Sequence, residues 1–145
     1  MRCGKCGNTE FSLVSMKGKT FPWKDFPLVF VIVDDLFLHE CSKCDEVLIS
    51  ARKGEVEKVD QALKTSVKDQ AVIFLNEIKR RGISQKELCD EIRVTPQHLS
   101  NIKSGVKEPS FQLFSMLKLL AENPDLIKNI DPKYVPSFLK KAVGQ

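Results

Sequence analysis

GISQKELCDEIRVTPQHLSNIKSG, residues 82–105, holds two helix starts and two helix stops in close succession. Ser84 has the side chain of an N-cap, and Glu87, three residues on, completes a capping box. Leu88 and Ile92 fall four apart, on one face of the helix that follows, with Cys89 beside them as a small apolar-like residue for close packing. Arg93-Val94 breaks the pattern. Thr95 is a second N-cap, and Pro96 sits at the first helical position, where a missing N–H costs nothing. Leu99 and Ile102 turn inward, and Gly105 supplies the stop. Two short capped helices joined by so tight a turn predict a helix-turn-helix. An ordinary helical pair in a core or a protein interface would share the apolar spacing.

The outward residues of the second helix separate these readings. They are Gln97, His98, Ser100, Asn101 and Lys103. In a helix-turn-helix the second helix lies in the DNA major groove. Gln and Asn each carry a donor and an acceptor on one planar amide, which matches adenine N6 and N7. A helix exposed only to water would favour Glu and Lys here. Thr95, Gln97, His98 and Asn101 are therefore candidate DNA contacts on this helix. Ser84, Gln85, Lys103 and Lys107 are placed to meet phosphates. The stretch also resembles the Cro/repressor (XRE) family in SQKEL, the Thr95-Pro96-Gln97 helix start, LSNIKSG and the KEPS that follows.

Charge agrees with this placement. The formal net charge is +4, yet residues 1–50 hold 6 Lys/Arg against 7 Asp/Glu, and residues 79–107 hold 7 against 3. The basic excess sits on the helix-turn-helix, as phosphate binding requires. A solvated charged face would look similar. Hydrophobic content of 42% and charged content of 29% fit a globular protein. The start, Met1-Arg2-Cys3, has no apolar signal region, and the most apolar run, 28–33, is far too short to span a membrane. The expected compartment is the cytoplasm, where structural disulfides are unusual.

Four of the five cysteines form two CxxC pairs, Cys3/Cys6 and Cys41/Cys44, 34 residues apart. Each CxxC turn aims two thiolates at one point, and two turns make a tetrahedral S4 site for one structural Zn2+ per chain. Two disulfides, a rubredoxin-like iron site or redox-active pairs are the competing chemistries. Four protein ligands leave no open position for catalysis, so His39 reads as a strand residue. With two histidines and no nucleophile–base constellation, no enzyme is expected.

The 34 intervening residues leave room for a small sheet, with strands expected at 11–16, 28–33 and 36–40. The run LVFVIV at 28–33 does not alternate, which is the pattern of a strand covered on both faces. A dense local core would cover it; so would another protein. On the second reading Trp23, Phe30 and an outward-pointing Val31 would be partner contacts. From Arg52 the spacing becomes helical, predicting a connector at 53–67 with Val56, Val59, Leu63 and Val67 inward, and a separate helix at 69–81. Beyond the central motif, Ser110 caps a helix at 110–122, Pro124 interrupts it, a short helix carries Leu126, Ile127 and Ile130, and a last one runs 135–143. The expected fold class is α+β: a zinc-binding β domain at 1–50, a helical connector at 51–68 and an all-α helix-turn-helix domain at 69–145.

This combination resembles the MqsA (YgiT-type zinc finger) antitoxins. The resemblance rests on the knuckles at 3 and 41, the 84–105 motif and the segment Leu119-Leu120…Asn123-Pro124-Asp125-Leu126. It implies a zinc domain that neutralises a cognate toxin, often an RNase, and a helix-turn-helix domain that forms a homodimer and represses its own operon at double-stranded operator DNA. The family's base-reading positions fall on Gln97 and Asn101. The family often has arginine where this chain has Asn101, so the operator should differ. The alternative is a stand-alone zinc-containing XRE-type transcription regulator.

Overall fold

The computed structural model describes residues 1–51, 54–128 and 137–144. The order is β1 (Phe11–Ser15), β2 (Thr20–Phe21), β3 (Val29–Phe30), β4 (Phe37–Cys41), β5 (Val47–Leu48), α1 (Glu55–Arg80), α2 (Gln85–Ile92), α3 (Pro96–Lys103), α4 (Phe111–Glu122), α5 (Asp125–Lys128) and α6 (Ser137–Ala142). The class is α+β, as expected. One antiparallel sheet runs β1-β4-β5, with Leu13 opposite His39 and Ser15 opposite Phe37. A second ribbon pairs β2 with β3. Among the described residues no helix is long and apolar enough to cross a membrane.

The connector and the helix after it are one continuous α1, not two helices. Its buried residues step without a gap through Val59, Leu63, Ser66, Val67, Gln70, Ala71, Leu75 and Ile78. Two members of that stripe are polar, which hid the continuity. Ser66 Oγ accepts from the Ile32 amide at 3.3 Å, and Gln70 Nε2 donates to the Phe30 carbonyl at 2.6 Å. They stitch the β3 segment to the helix, and a buried polar group so paired avoids the penalty of an unmet hydrogen bond. Val56, expected inward, is exposed.

Two apolar clusters lie along α1. Its first half packs with Met16, Trp23, Val29, Val31, Leu36 and Leu38 of the sheet region. Its second half packs with Ile83, Leu88, Cys89, Leu99, Ile102, Leu113, Leu117, Leu120 and Ile127. Cys89 is thus a core thiol, its pKa raised by burial and by Asp90. Phe114 of α4 joins the first cluster, meeting Phe26 edge-on at 5.5 Å and Phe74 at 5.4 Å.

The expectation that 28–33 is one non-alternating strand is corrected here, and of its two possible covers the chain's own core is the one found. Only Val29–Phe30 is strand, and the run does alternate: Val29 and Val31 are buried, while Leu28 and Phe30 are exposed. An all-apolar run conceals its own period. Val31, at 0% exposure, and Trp23, at 7%, are in the chain's own core and not available as partner contacts. The cover is α1. Trp23 stacks on Phe26 and donates its indole N–H to Asp60 of α1 at 2.9 Å. Of the three expected contacts only Phe30 faces outward, at 45% exposure. α5 carries Leu126 and Ile127; Ile130 and the start of the expected last helix lie outside the described residues.

Candidate metal centre and nucleic-acid interface

The two knuckles are built alike. Each first cysteine accepts a backbone N–H from the residue after the second cysteine: Gly7 to Cys3 at 2.9 Å, Asp45 to Cys41 at 3.1 Å. Each first cysteine's amide then donates one residue further on, to Asn8 at 2.8 Å and to Glu46 at 2.9 Å. The closing turn needs a left-handed residue. Gly7 takes φ 72° freely, whereas Asp45 takes φ 59° as one of the few side chains that tolerate it.

The turns bring the ligand atoms of Cys3, Cys6, Cys41 and Cys44 within 4.8 Å of one another. The Cys3–Cys44 and Cys6–Cys41 sulfurs are 3.5 and 3.6 Å apart. A tetrahedral Zn–S site with bonds of about 2.3 Å has sulfurs ~3.8 Å apart, so the set fits with small adjustment. All five cysteines are free thiols, so neither knuckle pair is a disulfide.

The thiols' electrostatics suit a cation held between them. The amides of Cys6 and Lys5 lower the pKa of Cys3. Burial opposes charge on Cys41, but the Lys43 amide, the Asn8 side chain and the Cys44 amide outweigh it and hold the thiol at about 6. The Glu46 amide favours the Cys44 thiolate, yet burial and the three neighbouring sulfurs push that thiol up to about 12. Sulfurs this close cannot all be ionised on their own; a divalent ion lets all four be thiolates. Asn8 was not foreseen. Its Nδ2 lies 3.5 Å from Cys41 Sγ and 3.1 Å from Ser42 Oγ, a support that orients a ligand. Its place directly after Cys6-Gly7 was the available signal.

At the helical end each predicted cap forms. Ser84 Oγ accepts from the Glu87 amide at 3.1 Å, and Thr95 Oγ1 accepts from the His98 amide at 3.2 Å. Ser84 also donates to the Glu87 carboxylate at 3.2 Å, so its hydroxyl is committed within the chain. The first-turn amides, which have no intrahelical partner, are the better phosphate donors there. Arg93 closes α2 in the left-handed conformation, φ 56°, and sets the turn into α3.

Gln97 and Asn101 sit one turn apart on α3, with Gln97 Nε2 donating to Asn101 Oδ1 at 3.2 Å. That bond leaves Gln97 Oε1 as acceptor and Asn101 Nδ2 as donor. Gln97, Ser100, Lys103 and Lys107 are exposed, while His98 is half-buried. The loop after α3, which carries Lys107, is tied to α1. Lys68 Nζ donates to the Gly105 carbonyl at 3.1 Å, and Lys64 pairs with Glu108 at 3.0 Å.

Residues 76–122 match the family model described as helix-turn-helix (HTH_3). The match runs from the end of α1 to the end of α4 and takes in both capped helices. No curated protein matches the chain. The chain therefore carries an XRE-type helix-turn-helix, the DNA-binding unit of transcription regulators, and double-stranded DNA is the ligand this unit implies. Four cysteines close enough together to hold one metal ion stand at the other end of α1.

Proposed function

We propose that the protein is the antitoxin of a type II toxin–antitoxin pair, with no catalytic role of its own. It neutralises an RNase-type toxin and, as a dimer, represses its own operon. The observation that carries the reading is the joining of a four-cysteine centre to a helix-turn-helix through one helix, in an arrangement that resembles the MqsA antitoxins. Gln97 and Asn101 would read bases, while Gln85, Lys103, Lys107 and the first-turn amides of α2 and α3 would hold phosphates. Cys3, Cys6, Cys41 and Cys44 would hold structural zinc.

Co-expression with the product of the adjacent gene tests this. A stable complex whose partner is toxic alone, and a footprint at the shared promoter, are the expected results. A protein that binds its promoter but has no toxic neighbour would fit the stand-alone regulator instead. The burial of Trp23 and Val31 favours that second reading, because it takes away the most apolar candidate surface for a toxin.

A further inference from the structure

The helix-turn-helix core is not filled completely. A cavity of about 160 Å³ lies where α1, α2 and α3 meet. Its floor is apolar: Ile78, Ile83, Leu88 and Leu99 line it, and each is at most 2% exposed. Its rim is polar and exposed, made by Lys79, Ser84, Gln85 and Lys103. Packed interiors hold few voids larger than a water molecule. One of this size compares with the ~150 Å³ apolar cavity that takes up benzene.

The charge on the rim has one sign. Lys79 comes from the last turn of α1 and Lys103 from the last turn of α3, and no carboxylate lines the cavity. Neither lysine makes an ion pair among the described residues. The acids nearest to them along the chain are engaged elsewhere. Glu77 is held by Arg80 and Arg81 at 2.6 and 2.9 Å, and Glu108 by Lys64 at 3.0 Å. An apolar floor of one-ring size under two unpaired ammonium groups selects a small acid with a compact apolar body. A neutral molecule would leave both charges unmet, and an inorganic anion would not cover the floor.

We propose that this cavity binds a small aromatic carboxylate, its ring on the aliphatic floor and its carboxylate on Lys79 and Lys103, and that the bound acid weakens DNA binding. The second clause follows from the rim. Gln85 and Lys103 are the groups read above as phosphate contacts, so a carboxylate on Lys103 takes the place of a phosphate. That consequence rests on the DNA-binding reading; the site does not.

The zinc-loaded full chain is titrated with phenylacetate, first without DNA. Saturable shifts of the backbone amides of 83–88 and 99–103, with a Kd of about 1 mM or below, are expected for a ligand of about ten non-hydrogen atoms. Phenylacetamide keeps the shape without the charge, and acetate keeps the charge without the ring; each should bind about tenfold more weakly or worse. Lys79→Gln should weaken phenylacetate about tenfold and leave promoter affinity without the acid unchanged. Leu75 also lines the cavity, and Leu75→Phe should fill it and abolish binding at wild-type helicity. Saturating phenylacetate should lower promoter affinity about tenfold and the salt slope by about one. No saturable binding up to ~20 mM, or equal binding of phenylacetamide or acetate, overturns the site. Uptake of the acid with promoter affinity unchanged overturns the competition. A chain that takes up the acid but has no affinity for its promoter supports the site and sinks the DNA-binding reading instead.

Discussion

The two ends of α1 are held together by different physics. At the sheet end three of the five strands are two residues long, too short for backbone pairing to stabilise them alone. That end depends on four converging sulfurs and on the first half of α1 as a lid. At the helical end α2, α3 and α4 each begin on a side-chain cap, and a cluster of aliphatic side chains closes between them. Removing one ligand should therefore be ruinous at one end and tolerable at the other. A substitution in the region where the clusters meet should damage both.

The strongest test is Cys41→Ser. It should abolish zinc binding and unfold residues 1–50, because in such sites binding energy is folding energy. The helical end should stay folded and bind DNA, read by helical circular dichroism and operator shift assays. Full zinc occupancy, or loss of the helical signal, would sink the comparison. Phe114→Ala comes next. It should cost about 3–5 kcal/mol, the range for truncating a buried aromatic, and chemical denaturation should show both ends weakened together. A loss confined to the helical end would mean that the clusters are energetically separate.

Smaller effects dissect the DNA face. Gln97→Ala or Asn101→Ala should cost ~1–3 kcal/mol of operator binding and relax preference at individual base pairs. Lys103→Ala should weaken all sequences alike and lower the salt slope by about one. Equal losses on operator and random DNA for Gln97→Ala would show that α3 does not read bases. Arg93→Gly removes a left-handed non-glycine residue and should stabilise the fold by about 1 kcal/mol; an unchanged thermal midpoint would show that the turn carries no strain. The smallest effect is at Glu77, whose pKa is lowered to about 2 by hydrogen bonds from Arg80 and Arg81. A depressed carboxyl stabilises above its unfolded pKa, and that support is lost as pH falls from about 4.5 toward 2. Glu77→Gln should flatten this part of the stability–pH curve by lowering stability slightly at neutral pH and leaving it nearly unchanged near pH 2; an identical acid limb would contradict the assignment.

What could be read from the chain alone follows the range of each interaction. Caps are local, so Ser84, Thr95 and Ser110 announced their helices correctly. The CxxC pairs state their own geometry at short range, and the match between two such turns needs no further knowledge of the fold. The misreadings came from long-range partners. Ser66 and Gln70 look like a break in an apolar stripe until Ile32 and Phe30 are found against them. Trp23 and Val31 look available until α1 is laid over them. Phe30, named with Val31 as a partner contact, is outward while Val31 is buried, and the alternation that separates the two is invisible in a run with no polar residue. Asn8 carries no motif of its own, and its nearness to Cys41 exists only after the knuckles meet.

The unbroken α1 also makes the protein a machine with gearing. At ~1.5 Å per residue its 26 residues form a rod of roughly 39 Å. A rod of that length, pivoted at one end by ~5°, carries the other end ~3.4 Å, one base-pair step along a DNA strand. The far tip of α1 packs beside α3, so a tilt of that size at the sheet end would displace it by about one such step. The stroke needed to pull α3 out of register is smaller than the width of a side chain.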